Sequence, residues 1–292
     1  MKRLFILLLA LFLAFTFVSC DNFWSSSSSS SNNNGGGGSA STPDYLCFTA
    51  TGDSTIAMAL TGTVTPLPEL EYSTDGSTWT AFEIGTTTVD LADGEKAYFR
   101  GDNTAFASVA DNYVKFVMTG SIAASGNIMS LLDKKCASKT IPADNCFKLL
   151  FWSCTALTSA PELPATTLTT GCYASMFQGC TSLTTAPVLP ATTLAEACYS
   201  GMFNGCISLT TAPELPATTL VEQCYAVMFN GCSGLTSIRV HFTDWNDAEN
   251  STTSWVNGVS ATGTFYYKSG SSLDTSTGIN RVPENFTPSA TL

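Results

Sequence analysis

The sequence predicts a mixed α+β protein in which a small antiparallel β-sandwich precedes a solenoid of about four 26-residue turns. Two observations carry this prediction. One 26-residue unit recurs in tandem, and a fixed period in this range is typical of stacked repeats. The segment before the repeats contains short runs of alternating hydrophobicity, which are typical of β-strands. The four units begin at Cys146, Cys172, Cys198 and Cys224.

The first twenty residues are predicted to be a targeting segment. Lys2 and Arg3 provide a positive start, and an unbroken apolar run follows from Leu4 to Val18. This run is too short to span a bilayer, which takes about 20 residues. The string FVSC, which ends at Cys20, resembles a bacterial lipobox, so we expect residues 1–20 to be a lipoprotein signal peptide and Cys20 to carry the lipid. The alternative is an ordinary cleaved signal in which Cys20 has no role.

Residues 21–41 are rich in Ser, Asn and Gly, a composition that cannot bury enough apolar area to fold. We expect a disordered tether between the membrane and the folded part.

Without Lys2 and Arg3, the chain has 10 basic and 23 acidic residues, so the mature chain lacks the basic footprint that nucleic acid requires. The sequence therefore predicts an exported lipoprotein anchored in a membrane, at the cell surface or outer membrane, with no nucleic-acid partner.

Residues 42–120 contain the strand-like runs. The string LEYSTDGSTWTAFEI alternates on both sides of Asp75-Gly76, a dipeptide favoured at hairpin turns because both positions accept positive φ. Within it, STDGSTW resembles the Asp-box of sialidase propellers, but it is one residue short and occurs once. We therefore favour a hairpin that belongs to a small antiparallel β-sandwich.

Each repeat opens on a segment that is predicted to be a two-turn α-helix. In CYSGMFNGC the apolar residues fall at i, i+3, i+4 and i+7, the positions that share one helix face. Gly205 is expected to end this helix, because glycine allows the chain to turn sharply. The equivalent tyrosines of three units are expected to be at least half buried: Tyr173, Tyr199 and Tyr225.

The second half of each repeat is predicted to be a short strand. In TSLTTAPELP, Leu209 and Leu215 can point inward, while Pro213 and Pro216 lack a backbone donor and mark the end of the strand. Stacked strands lie about 4.8 Å apart, so equivalent side chains line up. One apolar column is therefore expected from Phe151, Phe177, Phe203 and Phe229.

Each repeat also carries one pair of cysteines with the spacing C-x7-C. Metal sites use closer pairs such as CxxC, which does not occur in this sequence, so no metal site is expected. Disulfides suit an exported chain with an even cysteine count. Because one cysteine of each unit shares the phenylalanine face, we favour reduced thiols that pack as small apolar side chains.

Caps are expected at both ends of the array, with residues 121–145 before the repeats of 146–240 and residues 241–292 after them. The second cap contains TDWNDAEN, in which Asp244, Asn246, Asp247 and Glu249 offer oxygens of the kind that bind calcium. The spacing and glycine of an EF-hand are missing, so we interpret the string as a solvated loop. Residues after Phe265 are expected to form a loose tail, since they are rich in Ser, Thr and Gly.

The repeats resemble those of bacterial surface leucine-rich repeat proteins of the BspA-like type. They are more similar still to the 26-residue bacterial surface protein repeat with its MFxGC core, through MFQGCTSL from Met176 and MFNGCISL from Met202. The resemblance implies a leucine-rich-repeat-type solenoid on a cell-surface protein that attaches to host matrix proteins, cells or other bacteria. APELP replaces the usual end of the strand, and this departure puts the strand geometry in doubt.

The expected function is non-enzymatic adhesion or protein–protein interaction through the repeat scaffold, with an extracellular protein or glycan as partner and no cofactor. One alternative is a glycan-binding sandwich displayed on a structural repeat stalk. Another is a surface glycoside hydrolase, whose carboxylates would come from Glu69, Glu71, Asp90 and Asp93. Any Ser-His or Cys-His system would have to use His241, the single histidine of the chain.

The residues that carry binding are not marked by any motif. Since the repeated Met, Phe and Cys side chains are expected in the core, recognition would fall to the Thr-rich positions between them. A fragment of residues 127–265 is expected to fold on its own and to carry the binding activity.

Overall fold

The computed structural model describes residues 44–109, 111–245 and 250–292, which belong to one compact unit. The predicted signal peptide, the tether and Cys20 lie outside the described residues, as do Asn246, Asp247 and Glu249. The described residues contain 14 β-strands and one 3₁₀-helix, Ile128–Leu131.

Nine strands form an antiparallel N-terminal module. They are β1 Leu46–Ala50, β2 Ser54–Thr61, β3 Leu70–Ser73, β4 Thr80–Phe82, β5 Thr88–Leu91, β6 Lys96–Gly101, β7 Ala107–Val109, β8 Asn112–Thr119 and β9 Ile122–Ser125. Their order is β9-β1-β6-β3-β4 in one sheet and β5-β2-β8-β7 in the other. Phe48, Phe99 and Phe116 pack together between the two sheets, with ring centroids 5.1 to 5.5 Å apart.

The prediction of a mixed α+β protein is wrong, because the described residues contain no α-helix. Every fourth residue of the segment expected to be helical takes a positive φ, as at Gly171 (61°), Ser175 (53°) and Gly179 (75°). An α-helix keeps φ near −60° throughout. The segment is instead a run of tight turns.

The backbone hydrogen bonds of these turns alternate in direction. Ser175, Phe177 and Gly179 donate their N–H groups to carbonyls of the next unit, over 2.7 to 2.9 Å. Met176 and Gln178, which lie between them, close i→i−3 turns within their own unit, both at 3.2 Å. The same alternation recurs in the other units, so each unit is hydrogen-bonded to its neighbour along the full length of this segment.

The apolar spacing misled the prediction because two geometries share it. The buried residues of the second unit include Tyr173, Met176, Phe177 and Cys180, which is the helical i, i+3, i+4, i+7 set. Cys172 is buried as well, so the burial follows pairs with a period of four and not 3.6. The period of four is set by the positive-φ positions, where glycine or a short side chain often stands.

The prediction of a leucine-rich-repeat-type solenoid is also wrong. The units stack, but their strands are few, and the three sheets formed by the described residues are open and do not close into a solenoid. The first unit supplies β10, Leu157–Ser159, which pairs in parallel with β9, and the second unit supplies only the bridge from Ser159 to Thr185. Two prolines in each string of the APELP type remove backbone donors, so the strands remain short.

The predicted phenylalanine column is confirmed. Phe151, Phe177, Phe203 and Phe229 stack with nearly parallel rings, 5.4 to 5.9 Å between successive centroids. The column continues into the N-terminal module, where Phe116 stacks on Phe151 at 5.2 Å. The antiparallel module and the repeat array therefore share one core.

A second stack consists of the three tyrosines, which were predicted to be at least half buried and are fully buried. Their rings lie 5.8 Å apart from Tyr173 to Tyr199 and 6.1 Å apart from Tyr199 to Tyr225. The hydroxyls of Tyr173 and Tyr225 have no hydrogen-bond partner. Leaving a buried hydroxyl unpaired costs about 1–3 kcal/mol.

Removing these hydroxyls is expected to stabilise the protein. Tyr173→Phe and Tyr225→Phe should each raise the free energy of unfolding by about 1 kcal/mol, because the stacked ring is kept and the unpaired group is lost. Urea unfolding of residues 42–292 measures the change, and Tyr267→Phe near the surface is the control, with a change of less than about 0.5 kcal/mol. A loss of stability in the two core variants would instead mean that a buried partner, such as a water molecule, holds the hydroxyls.

The repeat cysteines are buried thiols that point at backbone carbonyls. The Sγ atoms of Cys180, Cys206 and Cys232 donate to the carbonyl of the column phenylalanine one unit earlier, over 2.9 to 3.1 Å. Burial raises the pKa of the Cys154 thiol and the Cys232 thiol to about 12. All ten described cysteines are free, and Cys136 is the one that is partly exposed.

Thiol alkylation is expected to depend on unfolding. At pH 8 the native protein should react slowly and at Cys136 at most, because burial raises the pKa of its thiol to about 11 and keeps the reactive thiolate scarce. After denaturation without reductant, ten thiols should react in a protein of residues 42–292. Mass spectrometry counts the labels. Fewer than ten labels after denaturation would show that bridges form.

A parallel sheet closes the C-terminal end of the array. Its strands are β11 Thr211–Leu215, β12 Ser237–Val240, β13 Gly263–Tyr266 and β14 Phe286–Ser289. Leu209 and Leu215 are buried as predicted, while Pro213 lies within the edge strand and not at its end.

The prediction of a loose tail after Phe265 is wrong, because β14 belongs to the sheet. Carbonyls of the tail also accept the indole N–H groups of Trp245 and Trp255.

Candidate functional site

The carboxylates predicted for a hydrolase do not form one constellation. Glu71 lies in β3 and Asp90 in β5, which are strands of different sheets. Glu71 is ion-paired with Arg100, and Asp93 accepts a hydrogen bond from the backbone of Gly52 at 2.8 Å. A glycosidase needs two carboxyl groups that face one bond. Of these four residues, Glu69 and Glu71 line one cleft, while Asp90 lies on the other sheet.

The other predicted site residues lie at the surface or outside the described chain. His241 contacts the carboxylate of Glu214 beside the parallel sheet, where both side chains are partly exposed. Of the acidic string, Asp244 is described. Within the described ranges, no group of three or more His, Cys, Asp or Glu is placed to hold a metal ion. No helix in the part of the chain that the structure covers is long and apolar enough to cross a membrane.

A rigid loop shapes one end of the first sheet. The hairpin predicted at Asp75-Gly76 is present, with β3 and β4 antiparallel and Gly76 at φ 73°. One oxygen of Asp75 accepts hydrogen bonds from the backbone of Thr78 at 2.6 Å and of Ser77 at 2.7 Å. These backbone donors hold the pKa of the Asp75 carboxyl well below its usual range. The loop that delivers Trp79 is therefore fixed in the absence of any partner.

Trp79 is held by a cation and a second ring. The guanidinium of Arg100 lies 3.8 Å from the Trp79 ring centroid, and the Tyr45 ring meets Trp79 edge-on at 4.8 Å. The indole and Arg100 both remain partly exposed. This outward group of Tyr45, Trp79 and Arg100, which we call the Arg–aromatic cluster, thus has a fixed geometry and a solvent-facing side.

A chain of ion pairs links the Arg–aromatic cluster to its surroundings. The two oxygens of Glu71 bind Arg100 at 2.7 Å and Lys134 at 3.2 Å, and Lys134 also lies 3.8 Å from Asp102. The hydrogen bond from Arg100 lowers the pKa of Glu71, against the opposing effect of burial. The cluster is therefore tied to residue 134, which follows the 3₁₀-helix in sequence.

A cleft of about 470 Å³ opens beside this network. We call it the β4 cleft, because β3 and β4 form one of its sides. Its lining includes Leu67, Glu71, Ala81, Glu83 and Lys134. A second cavity of about 530 Å³ adjoins it, since both are lined by Leu67, Pro68, Glu69 and Asp102.

The outer surface of the repeat array carries fewer kinds of charged side chain than the surface around the β4 cleft. No Lys or Arg occurs between Lys148 and Arg239. Several threonine hydroxyls, which the sequence offered as contact groups, are used for stacking: Thr184 and Thr236 each donate to a carbonyl of the preceding unit at 3.1 Å. Exposed threonine pairs remain at 166–167, 192–193 and 218–219.

Sequence reasoning missed the Arg–aromatic cluster. Its residues lie far apart in the chain, and only the fold brings β1, β6 and the β3–β4 loop together. The sequence signal nearest to it was STDGSTW, which we interpreted as a hairpin and which ends on Trp79 of the cluster.

The described residues define an all-β protein in which stacked 26-residue units continue the core of an antiparallel module. Comparison with models of protein families, with characterised proteins and with solved structures finds no match.

Proposed function

We propose that this chain is an exported, non-enzymatic binding protein that is anchored by lipid at Cys20 and attaches its cell to an extracellular macromolecule. The observation that carries the proposal is the Arg–aromatic cluster beside the β4 cleft. Trp, Tyr and Arg are the residues most enriched where protein interfaces gain their binding energy. Here all three occur together at the surface, in a chain whose charged residues are only 12% of the total.

The rigidity of the cluster supports a role in binding. Ordering a flexible side chain on association costs about 0.5–1.5 kcal/mol. Asp75 fixes the loop before Trp79, and Glu71 holds Arg100. These side chains are therefore already ordered in the free protein, and binding a partner loses little further side-chain entropy. A partner that covers the cluster therefore gains contact area at little entropic cost.

The repeat array has a different part in this proposal. Its Phe, Tyr and Cys columns are buried, and its exposed side chains are mostly short and neutral. We assign it the role of a stiff body that carries the N-terminal module. Carbohydrate is the alternative partner at the same face, and the exposed threonine pairs are the alternative contact surface.

Two experiments test the proposal. In cells, Cys20→Ser should move the protein from the membrane fraction to the soluble fraction, because a single lipid attachment is lost. In vitro, residues 42–292 should bind at least one immobilised matrix protein or cell surface in a plasmon-resonance screen. Membrane retention of Cys20→Ser would contradict the anchor. Binding to none of the proteins, cells and glycans in the screen would contradict the binding role.

A further inference from the structure

The β4 cleft lies beside a free strand edge. β4 is the last strand of its sheet, and among the described residues it pairs with β3 alone. Thr80 and Ala81 are both exposed. An edge strand offers backbone N–H and C=O groups to which an extended peptide can add as a further strand. In the parallel sheet, by contrast, the edge strand β14 carries Pro288, which has no N–H to offer.

The cleft beside this edge can accept apolar side chains. Leu67 is 45% exposed and lines both cavities, and Ile84 lines the β4 cleft. In an added strand, alternate side chains point to the same face of the sheet, about 7 Å apart. A peptide on β4 would thus place every second side chain over the outer face, where the cleft and the Arg–aromatic cluster lie.

The charge of the two cavities favours a cationic partner. Their carboxylates outnumber their cations, with Glu69, Glu71, Glu83, Asp102 and Asp144 facing Lys134 as the one lysine or arginine in the lining. Arg100 and Lys134 neutralise Glu71. Glu69 and Glu83 remain exposed; Glu83 directly follows β4, and Glu69 directly precedes β3, the strand that pairs with β4. Complementary charge directs which partners associate and suppresses wrong ones.

We propose that the β4 cleft binds an extended basic segment of a polypeptide, which adds to β4 as a strand. Lysine or arginine side chains of the segment lie beside Glu69 and Glu83, and an apolar side chain packs on Leu67. The inference rests on the proposed function and specifies its partner. A sulfated glycan or an anionic membrane would be repelled by the same carboxylates.

A designed peptide provides the probe. Residues 42–292 are titrated with the blocked octapeptide of sequence KTVTKTVT, which presents lysine and valine alternately on one face of a strand, and with its matched acidic form ETVTETVT, by calorimetry at low salt. The basic peptide should bind saturably, and at least about tenfold more tightly than the acidic one. Its affinity should fall as salt is added, because exposed charges are screened.

Two variants separate charge from strand addition. The double change Glu69→Gln and Glu83→Gln should weaken binding of the basic peptide about fivefold, because two exposed ion pairs are lost. Ala81→Pro should weaken it about tenfold without changing any charge, because proline disrupts the edge. Asp90→Asn, an exposed carboxylate on β5 of the other sheet, is the control and should change the affinity by less than about twofold.

The outcomes decide between partners. Equal binding of both peptides, no binding of either, or competition by a neutral glycan overturns the inference. Should Ala81→Pro fail to fold by circular dichroism, the Glu69 and Glu83 variant alone decides. If the peptides fail while residues 42–292 still bind a surface in the screen, the strand-addition inference falls and the proposed function stands.

Discussion

A fragment that starts at Ser121 is expected to lose cooperative folding. It lacks β1 to β8, so β9 loses its antiparallel partner and Phe151 loses the stacked ring of Phe116. The hydrogen bonds from the backbone of Phe106 and Phe116 to the first repeat, at 2.7 and 2.8 Å, are lost as well. Each newly exposed aromatic side chain forfeits about 2 kcal/mol of burial, and a whole domain has only about 5–15 kcal/mol of net stability.

Thermal unfolding followed by circular dichroism measures this loss. The matched control starts at residue 42 and keeps the whole described fold, so it should melt in one sharp transition. The result also decides the expectation that residues 127–265 fold alone, which the shared core argues against. A sharp transition in the shorter fragment would mean that the array is an independent domain.

Phe177→Ala is expected to destabilise the protein by about 3–5 kcal/mol, because it leaves a large cavity in a dense core. Phe177 is fully buried, and its ring stacks on Phe151 at 5.4 Å and on Phe203 at 5.7 Å. For a domain of this size the melting temperature should fall by roughly 10 °C. Calorimetry of residues 42–292 measures both quantities.

An exposed site in the same unit provides the control. Thr192→Ala removes a surface side chain and should change the stability by less than about 0.5 kcal/mol. A loss of less than 1 kcal/mol for Phe177→Ala would contradict the continuous column. Removing a buried ring that packs against rings on both sides should lower the free energy of unfolding by more than this.

The stacking of the repeats could be predicted from the sequence because it depends on repetition alone. Equivalent residues of successive units must line up whatever the local conformation is, so the column from Phe151 to Phe229 followed from the period. The burial of Tyr173 followed from the same apolar pattern. The hairpin at Asp75-Gly76 was predictable for a different reason, since the dipeptide is itself a turn signal.

The conformation within each unit could not be predicted in this way. A helix and a run of four-residue turns give nearly the same apolar spacing over nine residues. They differ in backbone handedness, and Ser175 and Val227 take positive φ although neither is glycine. Hydrogen bonds to the next unit stabilise these positions. That stabilisation comes from neighbours 25 residues away or more, which a local pattern does not reveal.

The candidate site was the least predictable feature. Tyr45, Glu71, Trp79, Arg100 and Lys134 come from five segments, and no spacing rule connects them. Their meeting depends on the order β1-β6-β3-β4, in which β6 lies between β1 and β3. Sequence reasoning placed recognition in the array because repetition was the visible signal there.

The most direct test of the binding role compares two tryptophans. Trp79 lies under Arg100, and Trp152 of the first repeat is similarly placed, with Lys115 4.4 Å from its ring and Tyr113 edge-on at 6.0 Å. Both are partly exposed, so each replacement by alanine removes a comparable surface group.

The affinity of both variants of residues 42–292 is measured by plasmon resonance on the surface that binds the unmodified protein. Trp79→Ala should weaken binding at least about thirtyfold, as expected for a residue that dominates an interface, while Trp152→Ala stays within about twofold. Equal affinity of Trp79→Ala and the unmodified protein would contradict the account.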